Sequence, residues 1–278
     1  MVKWAKHFEV STSGYYVFLS NEQERLERQA TLDRQIREVF SASRGTYGVH
    51  RVCGKLRKDG IRCSYKKVKR RMDIMGLFSI HRRYQKSLTN SKKARGDGFP
   101  NLLRGAIITH PFQAICSDIT YIPTDEGFDY LCQIRDVVSN VVLAQRQDAT
   151  MSQELVQRTI LAAKRGWNLS EGTIFHSDRG SQYTATKTMA LLKRLGFRQS
   201  FSRVGKPGDN AWCESYFSIL KKEAIHGFRF KTRTQARQAV FSFTFGFYNT
   251  HRIQMGLGFL SPLQWLEKWR MDHSSHAA

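Results

Sequence analysis

Residues 112–122 read FQAICSDITYI, in which β-branched and aromatic residues alternate with small or polar ones. This pattern predicts a β-strand with one face in a protein core. Asp118 lies in the middle of the segment, between apolar and small neighbours. A carboxylate inside a core strand is costly unless it is paired or binds a cation. Asp118 is therefore a candidate for ion pairing or for metal binding.

The segments that follow predict a mixed α/β sheet. Two further strand-like segments, FDYLCQIRDVV at 128–138 and NVVLAQRQDA at 140–149, are separated by short turns, which predicts three antiparallel strands in succession. Helical and strand patterns then alternate. Helices are predicted at 151–166, 184–196, 211–225, 234–249 and 261–270, and short strands at 172–178 and 197–202. This is the element order of a ribonuclease-H-like fold, with a mixed five-stranded sheet and flanking helices.

The region before residue 107 has a helical pattern. Residues 21–40 follow a helical period, and two more helices are predicted around a break at Asp59-Gly60, with Ser64 as the N-cap of the second. A helix-turn-helix whose second helix is basic suits entry into a DNA major groove. The alternative is a plain helical hairpin with a solvated basic face. The candidate DNA contacts on the second helix are Lys66, Lys67, Lys69, Arg70 and Arg71.

Net charge points to a polyanionic partner. The 278 residues carry a net charge of +22, of which residues 1–106 hold +15 (24 Lys and Arg against 9 Asp and Glu). Such a field attracts DNA or RNA, although a merely soluble basic surface is the alternative. Arg82 and Arg83 precede a basic, Gly- and Pro-interrupted stretch that is interpreted as a linker touching phosphate. The predicted domains are a helical segment at 1–30, the helix-turn-helix DNA-binding domain at 31–90, a basic linker at 91–106, the catalytic core at 107–270 and a tail at 271–278.

Cysteine usage and hydropathy bear on the compartment. The five cysteines form no C-x-x-C pair, so neither a disulfide framework nor a zinc knuckle is indicated. No secretory signal and no apolar run of membrane-spanning length occurs. We expect a cytoplasmic protein that does not engage membranes.

Two more acids join Asp118 as candidates. Asp178 ends a short predicted strand, and Glu214 lies on a helix, with 35 residues between the two. Three carboxylates from two strands and one helix can converge on a pair of Mg²⁺ ions, with Mn²⁺ as the alternative, and such a pair supports phosphodiester cleavage and transfer. Singly, each acid has an ordinary explanation: an ion pair for Asp118, a helix cap for Asp178, and a surface position for Glu214. The segment VGKPGDN at 204–210 is predicted to be a loop that orders when DNA arrives, or a plain connector, with Asn210 capping the Glu214 helix.

Three blocks carry a family resemblance. They are SDITYI at 117–122, HSDRGSQY at 176–183 and DNAWCESYFSILKKE at 209–223. Together they resemble the signature blocks of retroviral-integrase-like transposases, most closely the second-frame (OrfB) transposases of the insertion-sequence-three family. Residues 43–52, SRGTYGVHRV, resemble the family's helix-turn-helix, and YNTHRIQMGLGFLSP at 248–262 resembles its carboxyl-terminal block, with Gln254-Met255 where His-Ser is usual. The resemblance covers nearly the whole chain.

The resemblance implies a function and its partners. It implies an integrase-type catalytic core in which Asp118, Asp178 and Glu214 are catalytic and bind Mg²⁺, with Lys221 near substrate DNA. Lys222, the next residue on the same helix, is a further candidate for contact with phosphate. The reaction implied is cleavage at terminal repeats followed by strand transfer into target DNA. Partners implied are double-stranded DNA, further copies of the chain on paired ends, and a product of an upstream frame (OrfA). The alternatives are a ribonuclease-H-like nuclease without strand joining and a non-catalytic DNA-binding repressor.

Overall fold

The computed structural model describes residue 7 and residues 11–80, 100–203 and 211–274. The chain divides into two compact units, Met1–Ser79 and Ile80–Ala278. The predicted loop 204–210 with Asn210, and the candidate DNA contacts Arg82 and Arg83, lie outside the described residues. None of the helices in the described ranges combines the length and the apolar composition that a membrane span requires.

The first unit is helical. Its helices span Thr12–Ser20 (α1), Glu22–Ala42 (α2), Val49–Lys58 (α3) and Tyr65–Ile74 (α4). The apolar periods identified in the sequence form the interior, because Ile36, Val52, Leu56 and Val68 are all fully buried. Ser64 caps α4 as predicted, since its hydroxyl accepts a hydrogen bond from the N–H of Lys67 at 3.2 Å.

The second unit contains a five-stranded mixed sheet. Its strands are Ala114–Thr124 (β1), Gly127–Asp136 (β2), Val142–Asp148 (β3), Ile174–Ser177 (β4) and Arg198–Phe201 (β5). Their spatial order is β3-β2-β1-β4-β5, with β1–β2 and β2–β3 antiparallel and β1–β4 and β4–β5 parallel. The predicted fold class and the antiparallel start of the sheet are confirmed.

Helices flank this sheet. They span Gln153–Gly166 (α5), Ser181–Thr184 (α6), Thr186–Arg194 (α7), Ala211–Leu220 (α8), Arg233–Phe243 (α9) and Pro262–Ser274 (α10). Two of them continue into π-helical turns, α8 at Lys221–Ile225 and α9 at Thr244–Tyr248. One apolar cluster joins β1 and β2 to α5 and α7, and a second joins the strands to α8 and α9. The sheet is therefore buried between helices over much of its area.

Segment 100–106 contacts this core, although its composition suggested a linker. Leu103 is buried in an apolar cluster with Ala114 and Ile174. The N–H of Leu102 donates to the Ser200 hydroxyl at 2.9 Å. Apolar Leu102 and Leu103 explain the packing, because burying them against the strands removes apolar surface from water. The domain boundaries themselves stay predictions.

Side chains cover part of the outer edge of β3. The Asn249 amide forms two hydrogen bonds with the backbone of Val142, accepting from its N–H at 3.0 Å and donating to its carbonyl at 2.9 Å. The indole N–H of Trp167 donates to the Leu143 carbonyl at 2.9 Å. Unpaired strand edges invite pairing with other chains, and these side chains occupy the groups that would do so.

Candidate active site

The two candidate aspartates follow the paired part of neighbouring parallel strands. The last paired residues of β1 and β4 are Cys116 and His176. Asp118 lies two residues further along β1, and Asp178 lies two residues beyond His176, just after the end of β4. Asp178 directly follows the carboxyl end of β4, the location at which ligands bind in open α/β sheets.

Both aspartates are half-buried and oriented by backbone donors. One Asp118 oxygen accepts the N–H of Ile119 at 2.8 Å. One Asp178 oxygen accepts the N–H of Gly180 at 3.0 Å. A Cβ built on Gly180 would lie 3.0 Å from that same Asp178 oxygen. Glycine at 180 therefore permits the close approach of the carboxylate to the backbone.

The surroundings of Asp118 disfavour its ionised form. Burial raises its pKa to about 7, the charges of Asp178 and Glu214 add to that rise, and the Ile119 N–H and the Lys221 charge oppose it. Burial likewise raises the pKa values of Asp178 and Glu214. Within the described ranges, no Lys or Arg side chain forms an ion pair with Asp118. An acid held this way gains from a cation that neutralises it.

Glu214 contributes charge from a different direction. It lies in the first turn of α8 and is exposed, whereas Cys213 before it and Tyr216 after it are buried against the sheet. No three His, Cys, Asp or Glu side chains of the described residues lie close enough together to hold a metal ion. The structure thus brings Asp178 and Glu214 into electrostatic range of Asp118, but within the described residues it does not place all three acids around one point.

The donor chemistry fits a hard divalent cation. All three candidates are carboxylates, which Mg²⁺ and Mn²⁺ prefer as ligands. Each aspartate carries a second oxygen for which no hydrogen bond occurs within the described part of the chain. Two of the candidate ligands are therefore oriented by backbone donors, and the third candidate lies on α8.

Lys221 lies beside the acids, at the start of the π-helical turn that follows α8. It is half-buried, and burial lowers its pKa while the Asp118 charge raises it. Its Nζ lies 5.1 Å from the centroid of the Tyr121 ring. Lys222 is half-buried on the same turn.

The carboxyl-terminal block holds this turn in place. Arg252 forms a two-point ion pair with Glu223, with nitrogen–oxygen distances of 2.8 and 2.7 Å and both side chains fully buried. Gln254, which stands where the family usually has His, accepts a hydrogen bond from Asn140 at 3.0 Å. The block therefore anchors the end of the Glu214 helix to the rest of the core.

The candidate contacts on α4 differ from one another. Lys66, Lys67 and Arg70 are exposed, and Lys69 pairs with Asp73 one turn along the same helix at 2.7 Å. Arg71 is turned inward, where it donates two hydrogen bonds to Asp33 on α2, at 2.7 and 2.6 Å. The ion pair between Arg71 and Asp33 holds α4 against α2, so the Arg71 side chain lies between these helices and is not exposed like Lys66, Lys67 and Arg70.

Two further residues lie near the acids and were not among the predicted site residues. Gly180 is one, and its position directly after Asp178-Arg179 was the available signal. Gln133 is the other: it is fully buried, it stands opposite Asp118 in the β1–β2 register, and its amide has no hydrogen-bond partner within the described residues. A glutamine inside the otherwise apolar segment LCQI was the signal. His176, by contrast, is fully buried, and its Nδ1 is hydrogen-bonded to the Ser200 hydroxyl at 2.8 Å. These contacts indicate that His176 supports the structure of the core.

Family models match most of the chain. An integrase core domain model matches residues 108–207, a second integrase core domain model matches 214–268, and an HTH-like domain model matches 27–85. Together with the sheet topology, these matches define the class as an enzyme of the DDE transposase and integrase type. Such cores depend on divalent metal ions in general, and the helix-turn-helix region implies DNA binding.

Curated relatives identify the family. The transposase for insertion sequence element IS904 of Lactococcus lactis subsp. lactis (strain IL1403) is 36% identical over 240 residues, which cover 86% of this chain and 94% of the relative. The transposase InsF for insertion sequence IS3fB of Escherichia coli (strain K12) is 33% identical over 266 residues, covering 92% of this chain and 90% of the relative. The chain belongs to the insertion-sequence-three (IS3) family of transposases.

Among solved structures, a chain of the simian T-cell lymphotropic virus intasome complex matches 63% of this chain and is itself covered to 61%, at 15% identity and a TM-score of 0.48. The fold assignment rests on the sheet topology of this chain and on the family models.

Proposed function

We propose that this transposase cuts the ends of its insertion sequence and joins the freed 3′-hydroxyl to target DNA, with Asp118, Asp178 and Glu214 as the catalytic metal ligands. The observation that carries the proposal is the grouping of carboxylates at Asp118 within β1 and at Asp178 directly after β4, with Glu214 in electrostatic range of Asp118. Asp118 has a pKa raised to about 7 and no ion-pair partner within the described residues. Such an arrangement is costly in isolation and is explained by a bound cation.

The side chains have separate tasks in this proposal. Asp118 and Asp178 each use one oxygen to accept a backbone N–H, which fixes the carboxylate plane and leaves the second oxygen for a cation. Two Mg²⁺ ions, or Mn²⁺, bound there would activate the attacking oxygen and stabilise the leaving oxygen of an in-line phosphoryl transfer. Glu214 completes the ligand set by moving toward Asp118 when DNA binds, which its exposed position on the first turn of α8 permits.

Cations around the acids are suited to hold the phosphodiester. We assign Lys221 and Lys222 to the DNA strand that is cut, because they follow Glu214 on a turn anchored by the buried Glu223–Arg252 pair. Lys66, Lys67 and Arg70 form the exposed basic side of α4, which suits the terminal-repeat duplex.

Joining two ends to one target requires more than one active site, so we also propose that copies of the chain act together on paired ends. An upstream-frame product remains a proposed partner.

The test is end cleavage of a terminal-repeat duplex by purified protein with Mg²⁺. Asp178→Asn should abolish cleavage, because the neutral amide does not replace the carboxylate as a metal ligand. Asp148→Asn is the matched control, since Asp148 pairs with Arg158 at the far end of β3. Undiminished cutting by Asp178→Asn protein would refute the metal triad.

A second assay separates the proposed reaction from its rivals. Ends that are already cut should be joined to a target plasmid by the parent protein. Cleavage without joining would identify a nuclease. Binding that survives loss of all three acids, with an inactive parent protein, would identify a repressor.

A further inference from the structure

Two exposed aromatic rings stand together on β1 and β2. Tyr121 is 54% exposed and Phe128 is 49% exposed, and their ring centroids lie 5.0 Å apart at an angle of 59°. The residues on either side of Tyr121, Thr120 and Ile122, are buried. We call the Tyr121–Phe128 pair the aromatic platform. Exposing two large rings side by side costs free energy that a bound ligand recovers.

The aromatic platform lies on the same strand as Asp118. Tyr121 follows Asp118 by three residues on β1, roughly 10 Å along an extended strand, so the two side chains leave opposite faces of that strand. Lys221 links the two positions, because its Nζ lies 5.1 Å from the Tyr121 ring centroid and its charge acts on Asp118. Lys221 therefore interacts with both the platform and Asp118.

Further cations flank the platform. The Arg233 guanidinium donates to the Phe128 carbonyl at 3.1 Å and to the Glu126 carbonyl at 2.6 Å, which fixes it beside the turn between β1 and β2. Arg229 pairs with Asp125 at the same turn and keeps 85% of its side chain exposed. Exposed rings interleaved with cations are the features with which proteins bind single-stranded nucleic acid, because bases stack on the rings while cations meet phosphates.

We propose that the aromatic platform stacks an unpaired base at the end of the DNA that is being cut, with Lys221 on the adjoining phosphate. A base inside a duplex offers only its edges to the protein, and its faces become available when the strands separate. A strand that must present one phosphodiester to the acids gains from having the neighbouring base held outside the duplex. This inference rests on the proposed function, because it takes the bound DNA to be the substrate of the same site.

The test measures stacking without chemistry. Duplexes that end in a single unpaired 2-aminopurine are titrated with parent protein in EDTA, and fluorescence quenching and Kd are compared with those of a blunt duplex. The parent should quench the probe and bind the unpaired end about tenfold more tightly than the blunt end. Tyr121→Ala and Phe128→Ala should lose both effects. Tyr121→Phe should retain both, because stacking needs the ring and not the hydroxyl.

The matched control is an aromatic pair elsewhere on the same unit. Phe241 on α9 is 62% exposed and its ring centroid lies 5.1 Å from that of Phe245, so Phe241→Ala removes a ring of similar exposure and ring contact. It should leave both quenching and end preference unchanged. Equal losses in Phe241→Ala and Tyr121→Ala would overturn the proposal, as would a parent protein with no preference for the unpaired end.

The two proposals fail in different ways. If Asp178→Asn abolishes cleavage but the parent does not quench the probe, the platform is wrong and the proposed function stands. If the parent quenches the probe through Tyr121 but cuts no DNA, the proposed catalysis is wrong. Should Tyr121→Ala fail to fold, Phe128→Ala and Tyr121→Leu give the same comparison.

Discussion

Replacing Asp118 by asparagine is expected to stabilise the metal-free protein at pH 8. Burial and the charges of Asp178 and Glu214 raise the pKa of Asp118 to about 7. In the unfolded chain this pKa returns to about 3.8. Between those two values the folded state binds more protons than the unfolded state, so the free energy of unfolding falls as pH rises. Above pH 7 the whole penalty of ionisation is present, and below about pH 4 it is absent.

The size of the expected stabilisation follows from the same two pKa values. A rise in the pKa of Asp118 from 3.8 to about 7 corresponds to a free-energy cost of ionisation of roughly 4 kcal/mol in the folded state, at about 1.4 kcal/mol per pKa unit. Because the side chain retains some contact with water, we expect about half of that, roughly 2 kcal/mol, to appear on substitution. For a unit of this size, 2 kcal/mol raises the midpoint of thermal unfolding by roughly 4–8 °C.

The assay is thermal and urea unfolding of parent and Asp118→Asn proteins in EDTA at pH 4 and pH 8. The gain should appear at pH 8 and vanish at pH 4. With millimolar Mg²⁺ at pH 8 the parent should gain stability and the variant should not. Asp148→Asn is the control of opposite sign, since the hydrogen bond from Arg158 lowers the pKa of Asp148. Equal stability of parent and Asp118→Asn at pH 8 would refute the reasoning.

Three further substitutions test the surroundings of the site. Gly180→Ala places a Cβ 3.0 Å from an Asp178 oxygen and should slow end cleavage by about 10- to 100-fold with little change in unfolding; an unaltered rate would contradict the close-approach argument. Glu223→Gln leaves Arg252 buried and unpaired, and urea unfolding should show a loss of about 3–5 kcal/mol, so a loss under 1 kcal/mol would contradict it. Ser64→Ala removes the helix cap and should cost about 1 kcal/mol, measured as a lower melting temperature of the first unit.

Local patterns in the sequence were sufficient for much of the fold. The alternation of apolar and polar residues around Asp118, together with the turns after it, predicted three antiparallel strands. This worked because the pleat of a strand and the type of a turn depend on residues that are close in sequence. The same holds for the predicted N-cap at Ser64, because a capping serine is recognised from the residues next to it.

Tertiary pairings were out of reach of such patterns. Arg71 and Asp33 are 38 positions apart, and nothing in their local sequence distinguishes Arg71 from the exposed cations beside it. The Glu223–Arg252 pair joins residues 29 apart, and its burial depends on how two π-helical turns pack. The position of Glu214 relative to the aspartates depends on how the whole of helix α8 packs against the sheet, which no short sequence pattern specifies.

The covered edge of β3 bears on behaviour at high concentration. A basic protein that gathers on DNA brings many copies into a small volume, where open strand edges would template intermolecular sheets. Here the amide of Asn249 saturates both backbone groups of Val142, and Trp167 occupies the next carbonyl. Copies that come close together are thereby discouraged from pairing their sheets along this stretch of β3, so a high local concentration need not lead to aggregation.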